Sequence, residues 1–362
     1  MRIGIIGAGQ LGRMLVEAGH PLGLEFRFYD RIADTPGGQV APIVTGEFDD
    51  HARLAEFARG CDVVTFDWEN VPVESLLPLA KRVPVYPKPD ILAIAQDRLF
   101  EKSLFCDLGI PTPPFAPVDL RYDLECAIQR IGAPGILKTR RLGYDGKGQA
   151  RIMKCSASGG AFASLAGQSL IYEGFVRFSR EVSMIAVRSV RGAIAYYPLC
   201  ENVHAHGILD ETRAPARYPA LEKQARRHVR AILEKFNYVG VLTVEFFVKN
   251  GVLLANEMAP RVHNSGHWTI EGAVCSQFEN HVRAIAGLPL GLTDSRGHSA
   301  MINFVGTLPA RERALAVQGL HFHDYGKREA RPGRKLGHAT VLASSATRRD
   351  RALARARKLK HQ

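Results

Sequence analysis

The hydrophobic and polar positions at the start of the chain predict strands and helices that alternate. Apolar runs at residues 2–6, 25–29 and 63–66 have the length of buried strands, and residues 10–19 follow the period of an amphipathic helix. Strands that alternate with helices indicate a parallel α/β sheet. We therefore predict an N-terminal α/β domain over residues 1–95.

Proline clusters mark the boundaries of the later units. One cluster lies at 84–89 and a second at 111–114, with a helix predicted between them at 97–108 and a small α+β module predicted at about 115–180. The later predicted elements are strands at 182–187 and 193–198, helices at 221–236 and 273–286, and a hairpin turn at Asn250-Gly251. We predict a second domain over residues 96–296, which contains the module, and a small C-terminal domain over 297–362.

A glycine turn follows the first strand. Gly7, Gly9 and Gly12 match the G-x-G-x-x-G fingerprint of Rossmann domains, and Asp30 lies 18 residues beyond Gly12, near the place of a ribose-binding acid. An NAD-dependent oxidoreductase is therefore one hypothesis. Any tight strand-to-helix turn needs similar glycines, however, and this hypothesis leaves the later motifs unexplained.

The segment LKTRRLGYDGKGQ, residues 137–149, joins a basic strand end to a glycine-rich loop. Lys138 ends the predicted strand, and Gly143, Gly146 and Gly148 allow backbone N–H groups to approach an anion. The spacing is not that of a Walker A loop. The segment is either a loop that covers phosphates or a flexible basic hairpin.

Two further motifs carry polar chemistry. In NEMAPRVHNSGHW, residues 256–268, Glu257 ends a predicted strand, and Arg261, His263 and Asn264 lie on the loop beyond it, where sites are often built. In RPGRKLGH, residues 331–338, a Pro-Gly turn separates two arginines whose guanidinium groups suit a phosphomonoester. A solvated basic turn would have the same sequence.

The composition excludes several classes of protein. The net charge is +12, but residues 348–362 hold seven Lys or Arg against one acid, so a solvated basic helix accounts for much of it, and no nucleic-acid-binding motif occurs. The six cysteines show no C-x-x-C spacing, which argues against a zinc site or a disulfide framework. The chain opens directly into a strand pattern, so we expect a cytoplasmic protein with neither nucleic-acid nor membrane partners.

With these motifs in view, the chain resembles the N5-carboxyaminoimidazole ribonucleotide synthetase family of purine biosynthesis, within the ATP-grasp superfamily. The resemblance covers essentially the full length and rests on GAGQLGRM, FDWENVP, QDRLFEK, RRLGYDGKGQ, NEMAPRVHNSGHWT and RPGRKLGH, in the order and spacing of the family. It implies an α/β and α+β ATP-grasp fold with a Rossmann-like pre-ATP-grasp domain, a central lid module and a small C-terminal domain. It also implies a homodimer.

The family implies a ligase that uses ATP and Mg²⁺, with Mn²⁺ as a substitute, to activate bicarbonate as carboxyphosphate. The carboxyl carbon then passes to the exocyclic amine of 5-aminoimidazole ribonucleotide, and ADP and phosphate are released. The implied ATP contacts are Arg98, Lys138, Gly143, Tyr144, Asp145, Gly146, Lys147, Gly148, Gln149, Glu173, Val176, Glu181, Asn256 and Glu257. The implied substrate contacts are Gly9, Gln10, Glu69, Tyr144, Asp145, Arg261, His263, Asn264, Lys327 and Arg334. The implied catalytic residues are Tyr144, Asp145, Lys147, Arg261 and His263, and the implied metal ligands are Glu245 and Glu257. One departure is Asp67, where the family commonly has a longer Glu beside Glu69.

The implied metal site makes a geometric demand on the hairpin. A regular two-residue turn at Asn250-Gly251 would set Glu245 opposite Asn256 and send Glu257 to the other face. One extra residue would instead pair Glu245 with Glu257. We therefore predict an irregular hairpin with glycine at or near the irregularity and with both carboxylates facing the lid.

Three alternatives stay open. A biotin carboxylase and a formate-dependent transformylase share the lid, the lysine and the metal acids, although the pairing of HNSGH with RPGRK favours the aminoimidazole enzyme. A non-enzymatic binding module would keep the glycine loop without needing both Glu245 and Glu257. The NAD-dependent oxidoreductase is the remote alternative.

Overall fold

A computed structural model describes residues 1–143 and 146–361; Tyr144, Asp145 and Gln362 lie outside the described residues. The N-terminal part is a parallel sheet with the order β3-β2-β1-β4, flanked by helices, as its alternating pattern predicts. Its elements are β1 (Arg2–Ile6), α1 (Gln10–Gly19), β2 (Glu25–Asp30), β3 (Ile43–Thr45), α2 (His51–Ala58), β4 (Val63–Phe66), α3 (Val73–Ala80) and α4 (Pro89–Ala95).

The lid module is a four-stranded antiparallel sheet with the order β5-β8-β6-β7, and it confirms the predicted α+β unit. The helix α5 leads into it from the first domain. The elements are α5 (Arg98–Asp107), β5 (Phe115–Val118), α6 (Arg121–Ile131), β6 (Gly135–Thr139), β7 (Gln149–Ile152), α7 (Ser158–Ser164) and β8 (Leu170–Gly174). Its core is formed by the buried faces of β6, β8 and α6.

The largest sheet has the order β14-β13-β9-β11-β12-β15-β17-β16, with β10 paired to β9. Its central elements are β9 (Arg180–Arg188), β10 (Ile194–Tyr196), β11 (Cys200–Ala205), β12 (Ile208–Ala214), α8 (Pro219–Lys235), β13 (Gly240–Lys249), β14 (Val252–Ala259), α9 (Thr269–Gly272) and α10 (Gln277–Ile285). The C-terminal elements are β15 (His298–Val305), α11 (Arg311–Leu315), β16 (Leu320–Asp324), β17 (Lys335–Ala343) and α12 (Ala346–Arg357). The C-terminal strands extend the central sheet because β15 pairs with β12.

Hydrophobic burial fixes the sheet between two helical layers. The helix α8 places Leu221, Val229 and Ile232 against one face of the sheet, in a core shared with α5. On the other face, α1 packs against α10, which joins the N-terminal domain to the large sheet. Within the described residues, none of the helices combines the length and the hydropathy that a transmembrane span needs.

Two predictions about the helices are corrected. The helix predicted at 273–286 begins at Gln277, because Ser276 caps it by accepting a hydrogen bond from the Glu279 amide. The basic tail helix α12 is not simply solvated. Its Leu353 is buried against the C-terminal strands, and Arg357 forms two hydrogen bonds to the Glu211 carboxylate of β12, at 2.5 and 2.7 Å.

Candidate active site between the lid and the large sheet

A cleft of about 590 Å³ lies between the lid strands, the large sheet and the loop after β14. Most of the predicted site residues line it. They are Glu69, Arg98, Lys138, Gly143, Gly146, Gln149, Glu173, Val176, Glu181, Glu245, Asn256, Glu257, Arg261, His263 and Asn264. Gly9, Gln10, Lys147, Gly148, Lys327 and Arg334 are not among the residues that line this cleft.

The two predicted metal ligands face each other across the hairpin. The turn has two residues, Asn250 with φ 52° and Gly251 with φ 76°, but the register shifts farther along, so that Glu245 pairs with Glu257 while Phe246 pairs with Ala255. The predicted bulge is confirmed. The predicted glycine is wrong: the extra residue is Asn256, and Gly251 serves only the turn, where its positive φ suits glycine.

The paired carboxylates have different electrostatic surroundings. Burial raises the pKa of Glu245 to about 7, with Glu257 adding to the rise and His204 opposing it. Withdrawal from solvent would also raise the pKa of Glu257, but Arg98 and Lys138 outweigh it and lower the value; Arg98 Nη1 lies 3.3 Å from Glu257 Oε2. The two carboxylates therefore differ: Glu257 has the Arg98 guanidinium close to it, whereas Glu245 lies in a more buried place where its charge is less favoured.

This donor set suits a hard cation. Glu245 and Glu257 offer carboxylate oxygens, and the buried Asn256 Oδ1 has no hydrogen-bond partner among the described residues. Those residues contain no group of three or more His, Cys, Asp or Glu side chains that could hold a metal ion. Mg²⁺ is commonly held by one or two carboxylates together with substrate phosphate and water, so the set fits Mg²⁺ that arrives with a nucleotide.

A buried ion cluster connects the lid to the bulge. Glu173 Oε2 on β8 lies 3.0 Å from Lys138 Nζ on β6 and 3.4 Å from Lys102 Nζ on α5. Burial would raise the pKa of Glu173, but the two lysines lower it to about 2. Lys102, which is fully buried, also donates to the carbonyls of Ala255 and Asn256, at 3.3 and 2.8 Å. Lys102 was not predicted as a site residue.

His204 is a second residue that the sequence motifs miss. Its Nδ1 lies 2.9 Å from Glu181 Oε2, and its Nε2 lies 3.7 Å from Glu245 Oε2. Burial would lower the pKa of His204, but the adjacent Glu181 and Glu245 carboxylates outweigh that effect and raise it to about 9. A protonated imidazole therefore bridges the two acids. Its place on β11 is reached only through sheet pairing, so no local sequence motif reveals it.

The loop after β14 brings Arg261, His263 and Asn264 to the other end of the cleft. Arg261 Nη2 lies 2.6 Å from Glu69 Oε2, which joins the loop to the N-terminal domain. Asn264 is buried, and neither its Oδ1 nor its Nδ2 has a hydrogen-bond partner among the described residues. A buried amide without partners is costly, so Asn264 is suited to bind a polar ligand.

A chain of buried hydrogen bonds sets the tautomer of His263. The Ser265 amide donates to His263 Nδ1 at 3.2 Å, so the ring proton is assigned to Nε2, which lies 3.4 Å from Glu245 Oε1. Burial lowers the pKa of His263 well below its usual range, so the ring is a neutral donor. The supporting chain runs from Thr212 to Asn202, Ser183, Ser265 and His263, with distances of 2.8–3.0 Å.

The predicted phosphate site gathers positive charge beside the cleft. Lys327 Nζ donates to the Lys335 carbonyl at 2.8 Å, and Arg334 Nη1 donates to the Glu329 carbonyl at 3.0 Å. Burial lowers the pKa of Lys327 to about 8, and Arg334 and Lys335 add to the decrease. Lys335, which was not predicted, lines the cleft itself. Lys327, Arg334 and Lys335 therefore form a group of neighbouring cations, of which Lys335 reaches the cleft.

The glycine-rich loop is described except for Tyr144 and Asp145, and the predictions for these two side chains lie outside the described residues. The Gly143 carbonyl accepts a hydrogen bond from Arg98 Nη2 at 3.0 Å. Gly146 and Gly148 have φ values of 77° and 67°, and an added Cβ at Gly148 would lie 2.6 Å from Thr139 Oγ1. Both positions therefore require glycine.

The contacts at the glycine turn argue against the binding of a dinucleotide. Asp30 does not face an open ribose site; its Oδ2 accepts a hydrogen bond from the Ala8 amide at 2.6 Å. Asp67 Oδ2 accepts from the Gly12 amide at 3.1 Å, at the start of α1, where a pyrophosphate would bind. Two amides of the turn are therefore already bonded to carboxylates of the protein, which argues against pyrophosphate binding there.

Comparison with known proteins agrees with this architecture. Models of the ribonucleotide synthetase pre-ATP-grasp domain, the ATP-grasp domain and the phosphoribosylaminoimidazole carboxylase C-terminal domain match residues 1–96, 103–278 and 299–352. The fold and the cleft between its two sheets are thus those of an ATP-grasp protein.

Individual relatives show which family of ATP-grasp proteins the chain resembles. A curated N5-carboxyaminoimidazole ribonucleotide synthase from Pseudomonas aeruginosa is 50% identical over 357 residues, which cover 99% of this chain and 97% of that protein. A crystal structure of the synthetase from Thermus thermophilus is 51% identical with a TM-score of 0.95, covering 99% of each chain. An Aspergillus clavatus synthase in complex with ADP and 5-aminoimidazole ribonucleotide is 30% identical with a TM-score of 0.93, covering 100% of this chain and 99% of that one. The chain belongs to the N5-carboxyaminoimidazole ribonucleotide synthase family.

Proposed function

We propose that this chain catalyses the ATP-dependent carboxylation of 5-aminoimidazole ribonucleotide by bicarbonate in purine biosynthesis. The products are N5-carboxyaminoimidazole ribonucleotide, ADP and phosphate. The observation that carries the proposal is the pairing of Glu245 with Glu257 beneath a lid that brings Lys138 into the same cleft. The related protein that binds both ADP and the ribonucleotide supports the choice of substrates.

The chemistry needs an activated carboxyl group, because the carbon of bicarbonate carries no good leaving group. A bicarbonate oxygen attacks the γ-phosphorus of ATP, and the bond from that phosphorus to the β,γ-bridging oxygen breaks to release ADP. The amine of the ribonucleotide then attacks the carboxyl carbon of carboxyphosphate. The bond from that carbon to the phosphate oxygen breaks, phosphate leaves, and the amine gives up a proton.

The lid side of the cleft is proposed to bind ATP. Arg98 and Lys138 contact phosphates, which stabilises the negative charge on the transferred group. Glu173, Val176 and Glu181 bind adenine and ribose, and residues 143–149, with Lys147, cover the triphosphate. Lys138 Nζ lies 3.0 Å from Glu173 Oε2, and its ammonium group has further N–H donors that are proposed to bind phosphate.

Glu245 and Glu257, with Asn256, are proposed to hold Mg²⁺. When bound, the ion would neutralise charge on the phosphates of ATP. The protein's own contribution is to keep two carboxylates on one face of the hairpin, which the bulge at Asn256 achieves. His204, which lies near Glu245, limits their repulsion before any nucleotide arrives.

The loop after β14 is proposed to hold the reacting carboxyl group. His263 donates from Nε2, because its Nδ1 already accepts a hydrogen bond, and Arg261 adds a fixed positive charge. Tyr144 and Asp145 are proposed to contact the substrate. Glu69 and Asn264 line the cleft and are proposed to contact the ribonucleotide. Gly9 and Gln10, which lie outside the lining of the cleft, are proposed to add contacts from the N-terminal domain, and Lys327 and Arg334 are proposed to bind the 5′-phosphate.

Three wider expectations remain proposals. The domain boundaries at 95/96 and 296/297 follow the sequence pattern, although the second boundary crosses a continuous sheet. A homodimer and a cytoplasmic location are proposed from the family resemblance alone.

Isotope transfer tests the reaction. Bicarbonate labelled with ¹⁸O and ¹³C should place one ¹⁸O in the released phosphate and the ¹³C in the carbamate product. Formate in place of bicarbonate should give no product. Incorporation of formate, or phosphate free of label under conditions where bicarbonate keeps its label, would contradict the proposal.

A further inference from the structure

Two side chains of helix α5 hold the backbone of β14 around the bulge. β14 is the edge strand of the large sheet, so the backbone groups on its outer side need partners other than a neighbouring strand. Lys102 donates to the carbonyls of residues 255 and 256, at 3.3 and 2.8 Å. Glu101 accepts a hydrogen bond from the Met258 amide at 2.6 Å. The backbone is therefore held by α5 on both sides of Glu257.

The ammonium group of Lys102 also contacts the lid. Lys102 Nζ lies 3.4 Å from Glu173 Oε2 on β8, so one carboxylate and two carbonyls face its three N–H donors. The side chain is fully buried and is not among the residues that line the cleft. Because its donors are directed at groups of the protein, Lys102 is suited to hold other residues in place and not to contact a substrate.

The two residues that Lys102 joins both line the cleft. Glu173 comes from the lid and Asn256 from the hairpin, and each has a buried side-chain oxygen, Oε1 and Oδ1, with no hydrogen-bond partner among the described residues. A buried oxygen without a partner is costly, so both atoms are suited to bind a ligand. Lys102 therefore sets the position of one ligand-binding residue relative to the other.

We propose that Lys102 is a positioning residue that couples the lid to the hairpin, so that a nucleotide bound under the lid and Mg²⁺ bound by Glu245 and Glu257 strengthen each other's binding. This proposal rests on the proposed function, which assigns the nucleotide to the lid and the ion to the hairpin. The ammonium group keeps the two carboxylates at the place where the phosphates of the nucleotide bring the ion. Without it, the hairpin and the lid lose a shared partner, and the nucleotide and the ion bind more independently.

Two substitutions separate this role from general support of the fold. Lys102→Met removes the ammonium group and keeps an unbranched side chain in the buried site. Arg188→Met is the matched control, because Arg188 Nη1 on β9 donates to the Tyr238 carbonyl at 2.9 Å and neither residue lines the cleft. Each substitution removes a cation that holds a backbone carbonyl. If Lys102→Met does not purify as a folded protein, Lys102→Gln, which is also uncharged, replaces it.

Hydrogen exchange tests whether Lys102 holds the hairpin. Without nucleotide, the amides of residues 255–258 should exchange at least about tenfold faster in Lys102→Met than in the wild-type protein, because the bulge loses two backbone contacts. In Arg188→Met the exchange of these amides should stay as in the wild-type protein. Unchanged exchange in Lys102→Met would overturn the proposal.

Calorimetric titration with ADP tests the coupling. The Kd measured without Mg²⁺, divided by the Kd measured with saturating Mg²⁺, should be at least about fivefold smaller in Lys102→Met than in the wild-type protein, and unchanged in Arg188→Met. An equal ratio in all three proteins would show that Lys102 only supports the fold, and would overturn the proposal. The titration does not depend on turnover. A wild-type chain that releases no ADP from ATP in response to the ribonucleotide would contradict the proposed function, whereas the titration with ADP still tests Lys102.

Discussion

Glu245 and Glu257 lie directly opposite each other on β13 and β14, because β14 accommodates one extra residue between Ala255 and Glu257. Directly opposed residues in an antiparallel pair have their Cβ atoms about 5 Å apart. Without Asn256 as the extra residue, Glu257 would point to the other face of the sheet. The metal site that we propose therefore depends on a backbone irregularity as much as on the two acids.

Glu257→Gln tests this site. The amide keeps the shape and one coordinating oxygen but lacks the charge that would hold Mg²⁺ against phosphate. We expect an unchanged melting temperature and a kcat at sub-millimolar Mg²⁺ lower by at least about tenfold, or about 1.4 kcal/mol. Excess Mg²⁺ should restore part of the rate. Normal turnover at low Mg²⁺ would rule out the paired-carboxylate site.

Arg334→Ala should weaken the ribonucleotide far more than ATP, because we assign this guanidinium to the 5′-phosphate alone. Loss of one charge-assisted contact costs about 1.5–3 kcal/mol, which raises the KM for the ribonucleotide by roughly 10- to 150-fold. Steady-state kinetics with each substrate varied in turn measure the effect. An equal rise in both KM values would remove the assignment.

The pH dependence should report Lys327. Its pKa of about 8 reflects burial and the nearby Arg334 and Lys335, with Asp67 opposing and Arg331 adding to the decrease. Below that pH the ammonium is charged and binds phosphate, so kcat/KM for the ribonucleotide should fall as pH rises through about 8. In Lys327→Arg this fall in kcat/KM should disappear, because a guanidinium group stays charged over that pH range. If kcat/KM still falls above about pH 8 in Lys327→Arg, a group other than Lys327 causes the fall.

His281 should make folding sensitive to acid. Its Nε2 lies 2.9 Å from Thr65 Oγ1 of the N-terminal sheet, its Nδ1 accepts from the Val241 amide, and burial lowers its pKa to about 4. The unfolded side chain titrates near 6.5, so stability should fall as pH decreases from about 6.5 towards 4, by up to about 3 kcal/mol.

The comparison for this prediction is His281→Gln, whose amide can still donate to Thr65. Melting temperatures are measured for both proteins between neutral and mildly acidic pH. The wild-type protein should lose more stability on acidification than the variant, since the remaining buried histidines contribute equally to both. Parallel curves of melting temperature against pH for the two proteins would show that the pKa of His281 does not change on unfolding.

Local patterns predicted much of the fold but not all contacts of the site. The hydrophobic periodicity predicted the alternating N-terminal domain, and the turn residues predicted the Asn250-Gly251 turn. The bulge was predicted because a shared metal ion requires Glu245 and Glu257 to face each other. The position of the bulge was not predicted. Lys102 of α5 donates hydrogen bonds to the carbonyls of Ala255 and Asn256 at the bulge, and a contact from so distant a part of the chain leaves no signal in the hairpin sequence.

His204 and the tail helix illustrate the same limit. His204 reaches Glu245 only through the pairing of β11, β9 and β13, which no local pattern specifies. The basic composition of α12 indicated a solvated helix, yet its apolar stripe is buried and Arg357 finds Glu211 on β12. Charge composition alone does not reveal partners that are distant in sequence.

This chain is proposed to couple the use of ATP to two further substrates. The most direct measurement is ADP release by the purified chain with Mg²⁺ while 5-aminoimidazole ribonucleotide and bicarbonate are varied independently. We predict that ADP release depends on both, saturates with each, and matches carbamate formation one to one. ADP release that ignores the ribonucleotide and bicarbonate, or that responds to formate instead, would contradict the account.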